Sequence, residues 1–369
     1  MEDVVMNTAF WKDKKVLITG HTGFKGGWLA LWLKSMGAVT IGYALPPPTN
    51  PSLFETCRIS KMINSIHGDI RDSKTLKKIF KEYKPEIVFH MAAQSIVRVS
   101  YREPVETYET NVMGTVNLFE ACRHIPSVKV IVNITSDKCY ENKERVLGYR
   151  EDDAMGGYDP YSSSKGCAEL VTSAYIKSYF NPDKYREHGK SVASVRAGNV
   201  IGGGDWAEDR LIPDCIRAFM SGQIPEIRYP DAVRPWQHVF EPLYGYLLLG
   251  QRLYEDGTKF TGAWNFGPDD SDAKPVRWIV EQIILMWGDN VSWRISGGEQ
   301  PHEAHHLKLD CSKAKTGLDW HPCWDLRAGL QKTIEWYKAY RSNEDMLNFS
   351  MEQIKSYEED LKNRARNEL

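Results

Sequence analysis

Three short stretches combine residue types at spacings that could do chemistry. Gly20-His21-Thr22-Gly23-Phe24-Lys25-Gly26 follows an apolar run at 16–19 and precedes a helical pattern. Glycines there let the backbone turn tightly and approach a pyrophosphate, while the helix N-terminus supplies amide donors and a partial positive charge. The spacing is GxxGxxG, not GxGxxG, and no Gly-Lys-Ser/Thr follows, so the stretch reads as a dinucleotide turn and not as a P-loop. Tyr161 and Lys165 stand four apart, on one face of a helix. An ammonium beside a phenol favours the phenolate, which makes Tyr161 a candidate acid/base for a hydroxyl–ketone interconversion. Ser136 ends an apolar strand, and in parallel sheets ligand groups gather at the carboxyl ends of strands.

The elements that must position these residues alternate. Strand signals at 16–19, 39–44, 63–67, 87–91, 128–134 and 191–195 are interleaved with helix signals at 28–36, 75–83, 105–122 and 160–180. The strands are apolar on both faces, which predicts an α/β fold: a doubly wound, Rossmann-like parallel sheet with helices on both sides. After about Gly198 the alternation fails, with Gly202-Gly203-Gly204, Pro230 and Pro235-Trp236 among long loops. The chain divides into residues 1–198, a dinucleotide-binding domain with the catalytic residues, and 199–342, a smaller, loop-rich substrate-binding region with pieces that return to the sheet. Residues 343–369 read as a charged helical tail. The acid expected to grip a ribose at the end of strand two is missing, because that strand ends Ile41-Gly42-Tyr43-Ala44. NAD and NADP are not distinguished at this position.

Composition removes other classes. The 369 residues hold 47 Lys plus Arg against 49 Asp plus Glu, a net charge of −2, so no global positive field exists to hold nucleic acid. Seven cysteines without a CxxC pair fit reduced thiols better than a disulfide framework or a zinc cage. The first ten residues lack a basic-then-apolar signal, and no apolar run approaches ~18 residues, so a cytoplasmic protein with no membrane partner is expected. His302-Glu303-Ala304-His305-His306 matches HExxH, but Gly297-Gly298 and Pro301 precede it and no long helix holds it. No metal site is expected there.

Taken together, Gly20, Gly23 and Gly26, Gly68-Asp69-Ile70-Arg71-Asp72, Ala92-Ala93, Asn111, Ser136 and the Tyr161/Lys165 pair resemble the extended short-chain dehydrogenase/reductase family. Within it the chain is most similar to nucleotide-sugar 4,6-dehydratases, nearest those of the CDP-glucose type, over about residues 14–340. The resemblance implies tightly held NAD, lined by Gly20, Gly23, Phe24, Lys25, Gly26, Asp69, Ile70, Ala92, Ala93, Gln94, Ser95, Tyr161 and Lys165. It places Asn111 with Ser136, Tyr161 and Lys165 in a proton-relay set. Asp137 can be a general acid and Lys138 a base or the partner of one. In the related dTDP-glucose enzymes Lys138's place is usually Glu, so this chain departs from the broader group there. CDP-glucose is the implied substrate, with Asn199, Arg210, Arg234 and Glu303 as candidate contacts and arginine suited to bidentate phosphate binding. The rivals are another nucleotide-sugar 4,6-dehydratase, a nucleotide-sugar 4-epimerase, a non-enzymatic dinucleotide sensor and, remotely, a zinc peptidase. The family pairs its subunits through helices corresponding to 105–122 and 160–180. A homodimer, or a tetramer of two such dimers, is therefore expected, with Cys167, Leu170, Val171, Ala174 and Tyr175 on a broad apolar face.

Overall fold

Consecutive residues of a strand point to opposite faces, so a sheet covered on both sides needs apolar residues at every position. The computed structural model, which describes residues 7–288, 291–297 and 307–367, shows this in the first strand. Val16 and Ile18 enter one core, with Trp28 and Trp32 of helix Phe24–Ser35 and Phe240 and Leu247 of helix Phe240–Glu255. Leu17 enters the other, with Leu76 and Phe80 of helix Ser73–Tyr83 and Leu118 and Phe119 of helix Gly114–Arg123.

The strands are β1 (Lys15–Thr19), β2 (Val39–Ala44), β3 (Asn64–His67), β4 (Ile87–His90), β5 (Val130–Ile134), β6 (Ser191–Ala197), β7 (Asn199–Ile201), β8 (Glu226–Ile227), β9 (Val233–His238), β10 (Gly262–Phe266), β11 (Ala273–Pro275) and β12 (Arg294–Ile295). Seven form one parallel sheet in the order β3-β2-β1-β4-β5-β6-β10. The order reverses between β1 and β4, and in such sheets a crevice for ligands opens at that point, outside the strands' carboxyl ends. β7, β9 and β11 make a small sheet, and β8 pairs with β12. The expected doubly wound fold is present, and the C-terminal region does return a strand, β10, to the sheet edge beside β6.

Several elements differ from the sequence reading. The first long helix starts at Phe24, not Trp28, because Gly26 and Gly27, which look like loop in sequence, are helical positions packed against neighbours. The single helix expected over 105–122 is three segments: Pro104–Tyr108, a π turn at Glu109–Met113, and Gly114–Arg123. Beyond the long loops, Leu309 makes an isolated bridge to Tyr149. The charged C-terminal helix Met346–Asn367 buries Ile354, Tyr357 and Leu361 in the first core. Glu358 accepts from the Trp32 indole at 2.8 Å, and the Tyr357 hydroxyl donates to Glu241 at 2.7 Å. Among the described residues no helix is long and apolar enough to cross a membrane. Glu303 and the His302–His306 stretch lie outside the described residues.

Candidate active site

The chain leaves β1 through Gly20, in a left-handed conformation (φ +81°) and so close to the exit of β4 that a Cβ would stand 2.7 Å from the Ala92 nitrogen. A Cβ on Gly26 would lie 2.2 Å from the Gly20 carbonyl oxygen. Gly23 is different. Its φ is an ordinary −80°, and a Cβ there would meet only the Gly20 oxygen, at 3.5 Å. Nothing in the protein's own packing requires glycine at that position; it leaves open the space before the helix. Gly23 also begins helix Phe24–Ser35 without a side-chain cap or an acid in the first turn, so the first amides and the positive end of the helix dipole are available to an anion. This cradle fits a pyrophosphate.

Strand two lacks a ribose-gripping acid, and Gly42 is glycine for a packing reason. A Cβ there would lie 2.3 Å from the His21 ring. His21 shares a 2.7 Å hydrogen bond with Ser65, and burial, then His67, lowers it to about 4. Asp69 is taken up by Arg71, which donates to its carboxylate at 2.6–3.1 Å and holds it below the usual range. Ile70 is buried under Gly114. After β4, the Met91 and Ala92 amides donate to Thr19 Oγ1. Asn111, in the π turn, accepts from the Gln94 amide at 2.8 Å and donates to the Gln94 carbonyl at 2.9 Å and to Ser164 at 2.8 Å. Asn111 thus ties the 92–95 loop to helix Pro160–Tyr179 and touches Ser164 rather than Lys165. π turns of this kind frequently mark functional sites.

At the end of β5, Ser136 caps a 3₁₀ turn, Asp137–Cys139, accepting from the Lys138 amide at 3.2 Å and donating to Asp137 Oδ1 at 3.0 Å. Asp137 is 4% exposed, and its Oδ2 has no hydrogen-bond partner among the described residues. Burial raises this carboxyl, against the opposing effects of Lys138, Ser136, Lys25 and Arg234. A Cβ on Gly198 would stand 2.8 Å from that free oxygen, so glycine there makes room for it. Helix Pro160–Tyr179 is started by Asp159, whose carboxylate accepts from the Ser162 amide at 2.9 Å, with Pro160 in its first turn. The helix carries Tyr161 and Lys165, both buried, to the same crevice.

One electrostatic expectation is corrected. Tyr161 is not lowered by Lys165; burial pushes the phenol up to about 12, Asp137 and Asp159 add to this, and Ser136 and Arg210 oppose it. The Lys165 amine turns toward the Ile134 carbonyl at 3.4 Å, and burial lowers it to about 8. Lys25, half-buried, joins this group. Burial, then the charges of Arg210 and Lys165, lowers it to about 7 against Asp137, and its amine stands 5.8 Å from the ring centroid of Tyr246, whose buried hydroxyl has no partner among the described residues. Arg210 donates to Asp205 at 2.8 Å and to Ser95 at 3.3 Å, close enough to act on Tyr161 and Lys25. Arg234 lies on β9 and acts on Asp137; Asn199 begins β7, next to Gly198.

The sequence reading missed the closeness of Lys25 to Asp137 and a buried pair, Glu169 and Arg196, beneath the site. The position of Glu169 four residues after Lys165 was the available signal. Among the described residues, no group of three or more His, Cys, Asp or Glu could hold a metal ion.

A seven-stranded parallel sheet, a glycine cradle at its switch point and a convergent Ser136, Tyr161 and Lys165 define an extended short-chain dehydrogenase/reductase. The family model described as GDP-mannose 4,6 dehydratase matches residues 17–256, and the chain belongs to this family. It is 58% identical, over 94% of its length and 97% of the relative's, to a CDP-glucose 4,6-dehydratase of Salmonella typhimurium strain LT2. Among solved structures it is similar to dTDP-glucose 4,6-dehydratase from Bacillus anthracis str. Ames in complex with NAD, with TM-score 0.72 and 23% identity over 91% of this chain and 99% of that one. It is also similar to MoeE5 in complex with UDP-glucose and NAD, with TM-score 0.74 and 25% identity over 89% and 99% of the two chains.

Proposed function

We propose that the chain is a hydro-lyase that converts CDP-glucose to CDP-4-keto-6-deoxyglucose with NAD as cofactor. The carrying observation is Asp137: a buried carboxyl with one unpartnered oxygen, on the same 3₁₀ turn as Lys138 and beside Ser136 and Tyr161. Oxidation at C4 alone needs only Ser136, Tyr161 and Lys165. A second acid/base pair is what loss of water across C5 and C6 requires. The 58% identical relative, a CDP-glucose 4,6-dehydratase, supports the same reading and the choice of nucleotide.

The Gly20–Gly26 turn and the 92–95 loop would hold NAD, which when bound would supply the hydride acceptor and donor that keep the turnover redox neutral. Ser136 orients the C4 hydroxyl, and Tyr161 takes its proton in the phenolate form, which burial opposes and Ser136 and Arg210 favour. Once C4 is a ketone, the C5 hydrogen becomes acidic, and Lys138 removes it. Asp137, whose carboxyl burial raises, gives its proton to the C6 hydroxyl, which leaves as water. Lys138 returns its proton to C5, and the proton gained by Tyr161 balances the one lost by Asp137. Asn199, Arg210 and Arg234 would hold the diphosphate, and Glu303 remains a proposed nucleotide contact.

A homodimer is part of this proposal. Leu170 and Ala174 of helix Pro160–Tyr179 are exposed, as are Val105 and Met113 on the neighbouring helical segments, while Val171 and Tyr175 of the same expected face pack into the chain's own second core. Sedimentation at micromolar concentration should show no monomer; a stable, active monomer would overturn this part.

The function is tested by incubating the protein with NAD and CDP-, dTDP-, UDP- or GDP-glucose. CDP-glucose should give a 4-keto-6-deoxy product fastest. Preference for dTDP-glucose would overturn the substrate, and a C4 epimer in place of the ketone would overturn the reaction.

A further inference from the structure

Beneath the candidate site lies a buried ion pair that the proposed reaction does not use. Arg196 Nη2 stands 2.8 Å from Glu169 Oε2, with the two side chains 3% and 4% exposed. Glu169 also accepts from Thr135 Oγ1 at 2.5 Å and from Ser194 Oγ at 2.6 Å. The second arm of Arg196 donates to the Tyr140 hydroxyl at 2.6 Å and to the Glu151 carbonyl at 3.1 Å. Tyr140 in turn donates to Asn265 at 2.8 Å.

These partners have a pattern. Thr135 immediately precedes Ser136, and Tyr140 immediately follows the Asp137–Cys139 turn, so the pair grips the acid/base turn at both ends. Glu169 itself stands on helix Pro160–Tyr179, one turn beyond Lys165 and two beyond Tyr161. A buried ion pair is weak support for stability, since apolar residues of similar volume often serve as well. In this network only Arg196 Nε is without a partner among the described residues, and the remaining bonds, which run to several separate elements, hold those elements in one relative geometry.

Resting on the proposed function, we infer that Glu169 and Arg196 are positioning residues that join the Ser136–Asp137–Lys138 turn to the helix of Tyr161 and Lys165, with Glu169 as the counter-charge of Lys165. The groups around Lys165 are Glu169 and Tyr161 on its own helix, Cys139 from the turn, Lys25 from the glycine turn and His90 from β4. Burial lowers the Lys165 amine, and Glu169, then Cys139, opposes this. Glu169 stays ionised because Arg196, Ser194 and Thr135 outweigh its own burial. Removing the Glu169 charge should therefore make Lys165 lose its proton at lower pH.

The test uses the full chain with NAD. Wild type, Glu169→Gln, Arg196→Lys and the double variant Glu169→Gln/Arg196→Gln are compared by the pH profile of kcat with CDP-glucose, by 15N NMR titration of Lys165 Nζ and by thermal melting. In Glu169→Gln the alkaline limb and the Nζ midpoint should both move to lower pH, by about one unit, and kcat should fall at least ~10-fold. Arg196→Lys keeps the charge but loses the planar fork, so it should lower kcat with the limb unmoved. An unmoved Nζ midpoint in folded Glu169→Gln would overturn the inference. If that variant does not fold, the double variant carries the same test; failure of both to fold would overturn the inference by assigning the pair to the fold alone. A wild type that does not turn over CDP-glucose would refute the proposed function, while the Nζ titration would still decide this inference.

Discussion

The turns that follow β1 and β5 lie at the same end of one sheet and use different parts of the chain. The 20–26 turn works with backbone: glycines that let two segments touch, a helix start without a cap, and open space at Gly23. The 136–140 turn works with side chains: a buried carboxyl, a serine cap and a network of charges below it. The difference follows from the task. Holding a diphosphate needs many amide donors and close approach, whereas moving protons needs groups whose ionisation is set by their surroundings. The first turn should fail through sterics and the second through electrostatics, and substitutions can test that division.

The largest expected effects belong to the second turn and the helix beside it. Tyr161→Phe and Asp137→Asn should each lower kcat by ~10²–10⁴-fold, with NAD affinity little changed, as read by steady-state kinetics and calorimetry. Equal losses in NAD affinity would erase the distinction between the turns. Next in size is Gly26→Ala. With the new Cβ 2.2 Å from a backbone oxygen, the turn must open, and a loss of ~1–3 kcal/mol in stability together with weaker NAD binding is expected.

Gly23→Ala separates ligand from fold. Melting should stay within ~0.5 kcal/mol of wild type, since neither backbone nor packing objects, while NAD affinity falls tenfold or more, ~1.4 kcal/mol. A destabilised protein with unchanged affinity would reverse that assignment. The smallest effect concerns Asp137 again. Burial raises its carboxyl in the folded chain, so the fold binds that proton more tightly than the unfolded chain does. The stabilising contribution is therefore full below the unfolded value, about 3.9, and is lost as pH rises through the raised folded value. Asn cannot ionise, so Asp137→Asn should melt higher at neutral pH, by ~0.5 kcal/mol or more, with the difference vanishing in acid.

The same contrast decides what could be read from the sequence. The strand bounds at 39–44 matched residue for residue, because apolar patterning and flanking breakers are local signals. The glycine turn was legible for the same reason, and so was the convergence of Ser136 with Tyr161 and Lys165, through the rule that ligands gather at strand ends. Electrostatics was not. That Lys165 faces the Ile134 carbonyl and that Tyr161 is raised rather than lowered depend on burial and on Asp137 and Asp159, which no spacing reveals. Arg196 carries no spacing signal of its own. Its pairing with Glu169 needs β6 laid against helix Pro160–Tyr179, a tertiary contact. The π turn at Glu109–Met113 escaped because an extra residue in one turn hardly alters an amphipathic pattern.

The central claim is that the 136–140 turn moves protons at C5 and C6, beyond oxidation at C4. It is tested most directly by turning over CDP-glucose with the protein and NAD in D₂O and examining the product by NMR and mass spectrometry. The expected product is a 4-keto-6-deoxy sugar nucleotide carrying one deuterium at C5, placed there when solvent-exchanged Lys138 returns its proton. A product that keeps its C6 hydroxyl and the original hydrogen at C5 would contradict the account.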